Sequence, residues 1–166
     1  TNPALARALE IQLPTLLLLT GPSRTGKTVA VRCLVAETGA QAFSLRISSV
    51  GSEYVTVTPR LVRDAVNMAL RLAEETGKTI FLVMDDGEQL ARQRGSLEHS
   101  SGWHDDLTGE ILSVVDDLEQ TPGRVCICLI SNCEELIDLA VVKRSVQQLR
   151  FTLPGQDEYR ALWRHE

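Results

Sequence analysis

GPSRTGKT, residues 21–28, is the stretch on which the fold prediction rests. It fits the phosphate-loop pattern of a glycine, four residues, a second glycine, lysine and then serine or threonine. The pattern is informative only between a strand and a helix, and both flanks suit it. The apolar run TLLLLTG (15–21) precedes the loop, and KTVAVRCLVAET (27–38), typical of a helix, follows it and ends at Gly39. This order predicts a phosphate site at the start of the helix.

In such a loop, backbone N–H groups of residues 25–28 can point at phosphate oxygens. Lys27, expected on an exposed loop, would reach the β- and γ-phosphates of ATP, and the Thr28 hydroxyl would bind Mg²⁺. Arg24 stands where many loops have glycine, and if it needs a positive φ its side chain costs about 1 kcal/mol, which a stable domain tolerates. The predicted cofactor-binding residues are Gly21, Pro22, Ser23, Arg24, Thr25, Gly26, Lys27 and Thr28.

Strand-like and helix-like segments alternate along the rest of the chain. Apolar or alternating runs predict four further strands, at 42–48, 79–86, 124–131 and 149–154. Helical patterns predict helices from 61 to 77, from 105 to 119, and from about 157 onward. Alternation of this kind predicts an α/β fold with a parallel sheet covered by helices on both faces. Ligands of such sheets bind at the carboxyl ends of the strands.

Helical spacing also predicts which residues of two helices face the core. In the helix that ends before Gly77, the apolar positions are Leu61, Ala65, Met68, Ala69 and Leu72. In the helix of 105–119, Asp105 is a candidate cap, and the inner side comprises Leu107, Ile111, Val114, Val115 and Leu118.

Polar side chains follow two of the predicted strands. Asp85 would orient Mg²⁺ through its water shell, and Asp86 would polarise the attacking water; a solvated turn is the alternative. In sites of this kind the second acid is commonly glutamate, and the aspartate side chain found here has about 1.5 Å less reach. Since a misplacement of about 1 Å can cost on the order of a hundredfold in rate, we expect slow hydrolysis with binding retained. If another base acts, Glu88 is the first candidate; Asn132 could hold the water or the γ-phosphate, or only form a turn.

Composition excludes several classes of function. The 166 residues suit one domain. A net charge of −5 gives no reason to expect duplex nucleic acid as a partner, which usually needs a basic face; a local basic groove is the alternative. The longest apolar stretch, LPTLLLL, is far shorter than a bilayer span, and the N-terminus lacks the order of a signal peptide. We therefore expect an intracellular protein, in the cytoplasm, with no nucleic-acid partner and no membrane contact by this segment.

The cysteines and histidines do not form a recognisable metal motif. No paired C-x-x-C ligands occur among Cys33, Cys126, Cys128 and Cys133. Cys126 and Cys128 alternate along one strand, and the favoured interpretation for the four is reduced core thiols. His99 and His104 lie in a polar stretch that we interpret as a solvated loop.

Five blocks in order resemble an AAA+ ATPase of the AAA branch, which holds membrane-bound AAA proteases, proteasomal ATPases and related protein unfoldases. The blocks are the glycine loop, FLVMDDGEQLARQRG, HDDLTGEILSVVDDLE, CICLISN and ELIDLAVVKRSVQQLRFTLP, and they cover nearly the whole chain. The resemblance implies a three-layer P-loop NTPase sandwich with a five-stranded parallel sheet of order 5-1-4-3-2. It also implies ring assembly, usually hexameric, and a protein substrate or adaptor.

The same resemblance implies roles for individual residues. Lys27 and Thr28 match the family's Walker A pair, and Asp85 matches its Walker B aspartate, which implies Thr28 and Asp85 as the residues for Mg²⁺. Asp86 falls at the usual catalytic glutamate, and Asn132 matches the sensor-1 asparagine. Arg144 falls near its arginine finger, which reaches the nucleotide of the next subunit. The implied catalytic residues are therefore Asp86, Asn132 and Arg144.

Three departures from the family pattern bear on function. VVKRSV is about two residues shorter than the family's two-arginine segment, so Arg144 is either the finger or a surface arginine. GSEYVTVTPRLVRD lacks the aromatic-hydrophobic-glycine triplet of the substrate-gripping loop and offers only Tyr54 and Val55. No helical lid follows, so we expect residues 1–166 to be one large α/β subdomain, a fragment of a longer protein.

Two hypotheses follow. The first is the ATP-hydrolysing core of a protein-remodelling ring. The second is a degenerate AAA domain that binds ATP to hold a ring together, with little or no hydrolysis.

Overall fold

In the part of the chain that the structure describes, five parallel strands form one central sheet. A computed structural model of the chain describes residues 14–45, 58–93 and 102–155. The strands are β1 Leu16–Thr20, β2 Gln41–Leu45, β3 Ile80–Met84, β4 Val125–Ser131 and β5 Gln147–Arg150. Their order across the sheet is β2-β3-β4-β1-β5, and every neighbouring pair is parallel. The predicted order 5-1-4-3-2 is the same order read from the other edge, so it is confirmed.

Helices cover both faces of the sheet. They are α1 Lys27–Thr38, α2 Pro59–Thr76, α3 Gly87–Leu90, α4 Gly102–Leu118 and α5 Leu139–Arg144, with a 3₁₀ turn at Glu134–Leu136. Side chains alternate across β1, so Leu16 and Leu18 join one apolar cluster and Leu17 and Leu19 join the other. The first cluster includes α2 and α4, and the second includes Val31 of α1. The three-layer α/β prediction is confirmed.

The predicted inner face of helix α2 is only partly right: Ala69 is buried and Ala65 and Leu72 pack against the core. The helix begins after Thr58, whose side chain accepts a hydrogen bond from the Leu61 N–H, and it ends at Gly77 in a left-handed conformation. Its buried residues are Val62, Val66, Ala69 and Ala73. The prediction that Leu61 and Met68 face the core is wrong, because these side chains are 38% and 68% exposed. Two adjacent apolar stripes exist on this helix, and spacing alone could not choose between them.

Other predicted boundaries also shift. Helix α4 begins at Gly102, so Asp105 lies in its first turn and is not its cap; all five predicted inner residues are buried. Strand β5 is Gln147–Arg150 rather than 149–154, and all four residues are exposed. This edge strand is defined by its pairing with β1 rather than by burial. Positions 46–48, Tyr54, Val55, His99 and the helix expected near 157 lie outside the described residues.

The thiol prediction is half right. Cys126 and Cys128 are buried in the same cluster, as expected, but Cys33 and Cys133 are exposed, because they lie on the outer side of α1 and just beyond β4. In the described ranges no group of three or more histidine, cysteine, aspartate or glutamate side chains could hold a metal ion. None of the described helices is long and apolar enough to cross a membrane.

Candidate functional site

The glycine loop connects β1 to α1 through a backbone with several left-handed residues. Gly21 has a φ of 136° and Gly26 a φ of 94°. A Cβ atom at Gly21 would lie 2.0 Å from the carbonyl oxygen of Phe151, so a side chain is excluded there. Arg24 has a positive φ of 64°, so its backbone is strained and the conformation costs about 1 kcal/mol.

Lys27 joins this loop to the end of β4. Its ammonium donates hydrogen bonds to the carbonyl oxygens of Gly21 at 2.6 Å and Pro22 at 2.7 Å, and to Oδ1 of Asn132 at 3.0 Å. The residue is only 6% exposed, so the expectation of an exposed lysine is wrong; the loop folds back over its own side chain. Burial lowers the Lys27 pKa, and the negative charges of Asp85 and Glu88 oppose that shift.

The N-terminus of α1 is left without a neutralising side chain. Its cap is Gly26, no side chain makes a capping hydrogen bond, and the first turn contains no acidic residue. The first N–H groups of a helix carry a partial positive charge. Thr28 lies in this first turn and is half-buried. The helix start and the Lys27 ammonium together make this end of the site suited to an anion.

An acidic group follows β3. Asp85 and Asp86 are half-buried, and the Asp86 N–H donates to Oδ1 of Asp85 at 3.1 Å. Asp86 adopts a left-handed backbone with a φ of 56° and stands at the N-cap position of α3. Burial is the main cause that raises the Asp86 pKa, and the neighbouring charges of Asp85 and Glu88 raise it further.

Glu88 ties this acidic group to β4. Its Oε2 accepts a hydrogen bond from the Ser131 hydroxyl at 2.5 Å and another from the Asn132 N–H at 3.2 Å. Gly87 permits the approach, because a Cβ atom there would lie 2.9 Å from Cγ of Leu129. From the sequence, Glu88 was predicted only as an alternative general base, and these contacts were not predicted. Its place three residues after Asp85, in a turn that leaves a buried strand, was the available signal.

Arg144 lies apart from this group. At the end of α5 its Nε donates to Oδ1 of Asp116 at 2.6 Å, and its Nη2 donates to Oδ2 at 3.1 Å. Both hydrogen bonds raise the pKa of Arg144, and the side chain is 37% exposed. The structure therefore brings together Lys27, Asp85, Asp86, Glu88 and Asn132, and it pairs Arg144 with α4 instead.

Comparisons with known proteins match most of the chain. The family described as "ATPase family associated with various cellular activities (AAA)" matches residues 17–153. The ATP-dependent zinc metalloprotease FtsH 2 of Sphaerobacter thermophilus is 30% identical over 163 residues, which are 97% of this chain and 24% of that protein. An "AAA ATPase forming ring-shaped complexes" from Corynebacterium diphtheriae is 31% identical over 169 residues, 97% of this chain and 33% of that protein.

Two further likenesses cover most of the chain. Human Fidgetin-like protein 1 is 30% identical over 139 residues, 83% of this chain and 20% of that protein. The solved HORMA:CdnC:Trip13 complex of E. coli MS115-1 contains a chain that superposes with a TM-score of 0.79 at 18% identity, over 99% of this chain and 56% of that one. At that identity the likeness shows the fold alone. The chain spans a third or less of the length of these three curated relatives.

Proposed function

This chain belongs to the AAA family of ATPases, and from that membership we propose that it binds ATP with Mg²⁺ and hydrolyses the nucleotide slowly. We propose that it does so as the core of a ring-forming machine that remodels proteins. The observation that carries the proposal is the triple contact of Lys27 with Gly21, Pro22 and Asn132. One buried ammonium there connects the phosphate loop with the polar end of a neighbouring strand.

Nucleotide phosphates fit the loop end of this site. The Lys27 ammonium is held by three neutral oxygens, and phosphate oxygens would be stronger acceptors because they are charged. The uncapped start of α1 adds N–H groups and a favourable dipole. Gly21 and Gly26 allow the backbone turns that expose these groups.

Mg²⁺ fits the site only together with the phosphates. Thr28 and Asp85 would supply the protein ligands, and Mg²⁺ is commonly bound by one or two protein groups plus substrate phosphates and waters. The ion, when bound, would neutralise charge on the phosphates.

Asp86 is the proposed residue that orients and deprotonates the attacking water. Its raised pKa brings it closer to the working pH of a general base, while its short side chain limits its reach. Asn132, held by Lys27, is proposed to contact the γ-phosphate or the water. These two features together suggest a site that binds well and turns over slowly.

Arg144 is proposed to act on the nucleotide of a neighbouring subunit. In this chain its guanidinium is half-exposed and bound by Asp116, so it would exchange one anionic partner for another. The Corynebacterium relative is named for forming ring-shaped complexes, which supports self-association, and we propose a hexamer. We also propose that the ring binds a protein substrate or adaptor.

A second candidate function is a nucleotide-holding subunit with little or no turnover. The short side chain of Asp86 and the pairing of Arg144 within its own chain favour it. In that case ATP would stabilise the ring while another domain or subunit supplies the work.

Variants of Asp86 in the full-length protein separate the two functions. If Asp86 is the base, Asp86→Asn should abolish ATP turnover and leave binding nearly intact. Asp86→Glu should then raise kcat by up to about a hundredfold, because it restores reach. If the domain only holds nucleotide, the native rate is at background and neither variant changes it. Steady-state phosphate release measures turnover, and a fluorescent ATP analogue measures binding.

Asp106→Asn is the matched control, because Asp106 is exposed on α4, a helix to which no proposed site residue belongs. It should change neither turnover nor binding. High native turnover that survives Asp86→Asn would contradict both functions.

A further inference from the structure

A chain of hydrogen bonds joins Glu88 to Lys27 through Asn132. Glu88 accepts from the Asn132 backbone N–H, and the Asn132 side-chain oxygen accepts from the Lys27 ammonium. The same Glu88 oxygen accepts from the hydroxyl of Ser131, which is fully buried. The carboxylate therefore fixes two consecutive residues at the end of β4, and the second of them carries the side chain that contacts Lys27.

The reach of Glu88 depends on close packing of α3 against β4. A Cβ atom at Gly87 would lie 2.9 Å from Cγ of Leu129 and 3.1 Å from the carbonyl oxygen of Ile130. Because position 87 has no side chain, the short helix lies directly on the strand, and the next residue can reach Ser131. This approach gives the Glu88 carboxylate a defined place, which an exposed glutamate in a loose turn would lack.

Two hydrogen bonds restrain Asn132 directly. The residue is exposed, and Glu88 and Lys27 are its two partners for the backbone N–H and the side-chain oxygen. Removing the Glu88 carboxylate would leave that N–H without its acceptor. Ser131 would still pair with Thr20 and bond to Cys133 through its hydroxyl, so the freedom gained would lie at Asn132. The Asn132 amide would then lose its fixed position beside the Lys27 ammonium.

We propose that Glu88 is a positioning residue which holds Asn132 against Lys27 and thereby determines how well the site distinguishes a nucleoside triphosphate from a diphosphate. The inference rests on the proposed function of ATP binding. Asn132 and Lys27 lie side by side where a terminal phosphate would meet both groups, whereas a diphosphate lacks that phosphate. Loss of Glu88 should therefore weaken binding of the triphosphate more than binding of the diphosphate.

The test measures the affinities of ADP and of a non-hydrolysable ATP analogue for the full-length protein by isothermal titration calorimetry. Glu88→Ala should reduce the preference for the ATP analogue about tenfold, the effect of losing one hydrogen bond to a charged group. Asn132→Ala should reduce it similarly. The double variant should show no greater loss than Asn132→Ala alone, because both changes remove the same contact.

Two conservative variants keep the test informative if Glu88→Ala folds poorly. Glu88→Gln retains the length and an accepting oxygen, so it should keep the preference within about twofold of wild type, well inside the loss expected for a broken contact. Glu88→Asp retains the charge but is about 1.5 Å shorter, so it should lose the preference. A general base would give the opposite order, with Asp tolerated and Gln inactive in ATP turnover.

Several results would overturn the proposal. Equal weakening of both nucleotides by Glu88→Ala, or additive losses in the double variant, would indicate a general effect on structure. If the wild-type protein binds both nucleotides and Glu88→Ala keeps the same preference for the ATP analogue, the role of Glu88 is contradicted while the proposed ATP binding stands. A wild-type protein that binds the ATP analogue no better than Lys27→Ala does would contradict the proposed function itself, and the role of Glu88 with it.

Discussion

At Lys27, one ammonium group serves three acceptors, and two of them belong to its own loop. The carbonyls of Gly21 and Pro22 accept its protons, so the loop closes over the side chain and buries it. Bound phosphate would compete for the same donors. The loop of this structure is therefore compatible with nucleotide binding after a local exchange of hydrogen bonds.

Lys27→Ala should weaken binding of a fluorescent ATP analogue at least tenfold, which corresponds to about 1.4 kcal/mol. Lys27 is buried, and its loss would leave the Gly21 and Pro22 carbonyl oxygens without their donor. The change should therefore also lower the free energy of unfolding by about 1–3 kcal/mol. Urea denaturation measures the second effect. Lys78→Ala is the control, since Lys78 is exposed in a turn and should change neither quantity. Equal nucleotide affinity in Lys27→Ala and wild type would remove the loop from the mechanism.

Between elements, α2 and α4 are joined by one arginine. Arg63 donates from Nη2 to the Ser113 hydroxyl at 2.9 Å and forms ion pairs with Glu110 and Asp117. Those two carboxylates raise the pKa of Arg63, which remains a cation. Without the guanidinium, the carboxylates of Glu110 and Asp117, which lie on the same side of α4, would lose their shared counterion. This contact is independent of the apolar packing below it.

Arg63→Ala should destabilise the fold by about 1–2 kcal/mol, because the bonds are charge-assisted and only partly exposed. Arg60→Ala is the matched control on the same helix. Arg60 is 90% exposed and lies 3.8 Å from Asp64, so its loss should cost less than about 0.5 kcal/mol. Urea midpoints of the two variants give the comparison. A smaller cost for Arg63 than for Arg60 would show that α2 and α4 are joined by apolar packing alone.

The elements also show what the sequence could and could not predict. Strands β1, β3 and β4 are buried along their whole length, and continuous apolar runs predicted each of them. Strand β5 is exposed and is defined by its pairing with β1, so its bounds could not be predicted from the apolar pattern. The members of the site were predicted from their places after strands. The contacts of Glu88 were not, because they depend on the close approach at Gly87.

For the whole molecule, the sheet order decides which residues meet. Strand β1 lies beside β4, and β4 lies beside β3, so the glycine loop, Asn132 and the two aspartates leave the same edge of the sheet. Arg144 leaves α5 elsewhere and is bound by Asp116. The role proposed for Arg144 would therefore be exerted on the nucleotide of a neighbouring copy of the chain.

Mixing two inactive variants of the full-length protein tests that arrangement. Lys27→Ala should inactivate its own site, and Arg144→Ala should inactivate the site of its neighbour. In randomly mixed rings, about a quarter of the sites would have both an intact lysine and an intact neighbouring arginine, since each interface is heterologous. ATP turnover of the mixture should therefore rise to about a quarter of the wild-type rate. A mixture no more active than either variant alone would contradict an arginine acting between subunits.

The contact between Gly21 and Phe151 has a consequence for motion. The Phe151 carbonyl oxygen occupies the space that a side chain at Gly21 would need, and the Phe151 N–H donates to the Thr20 carbonyl at 2.7 Å. The main chain after β5 is thus in direct contact with the first residue of the glycine loop. A change of loop shape on nucleotide binding would displace that main chain at once, with no side chain between them to absorb the movement. Amide exchange at Phe151 would then report the occupancy of a site to which Phe151 itself contributes no ligand.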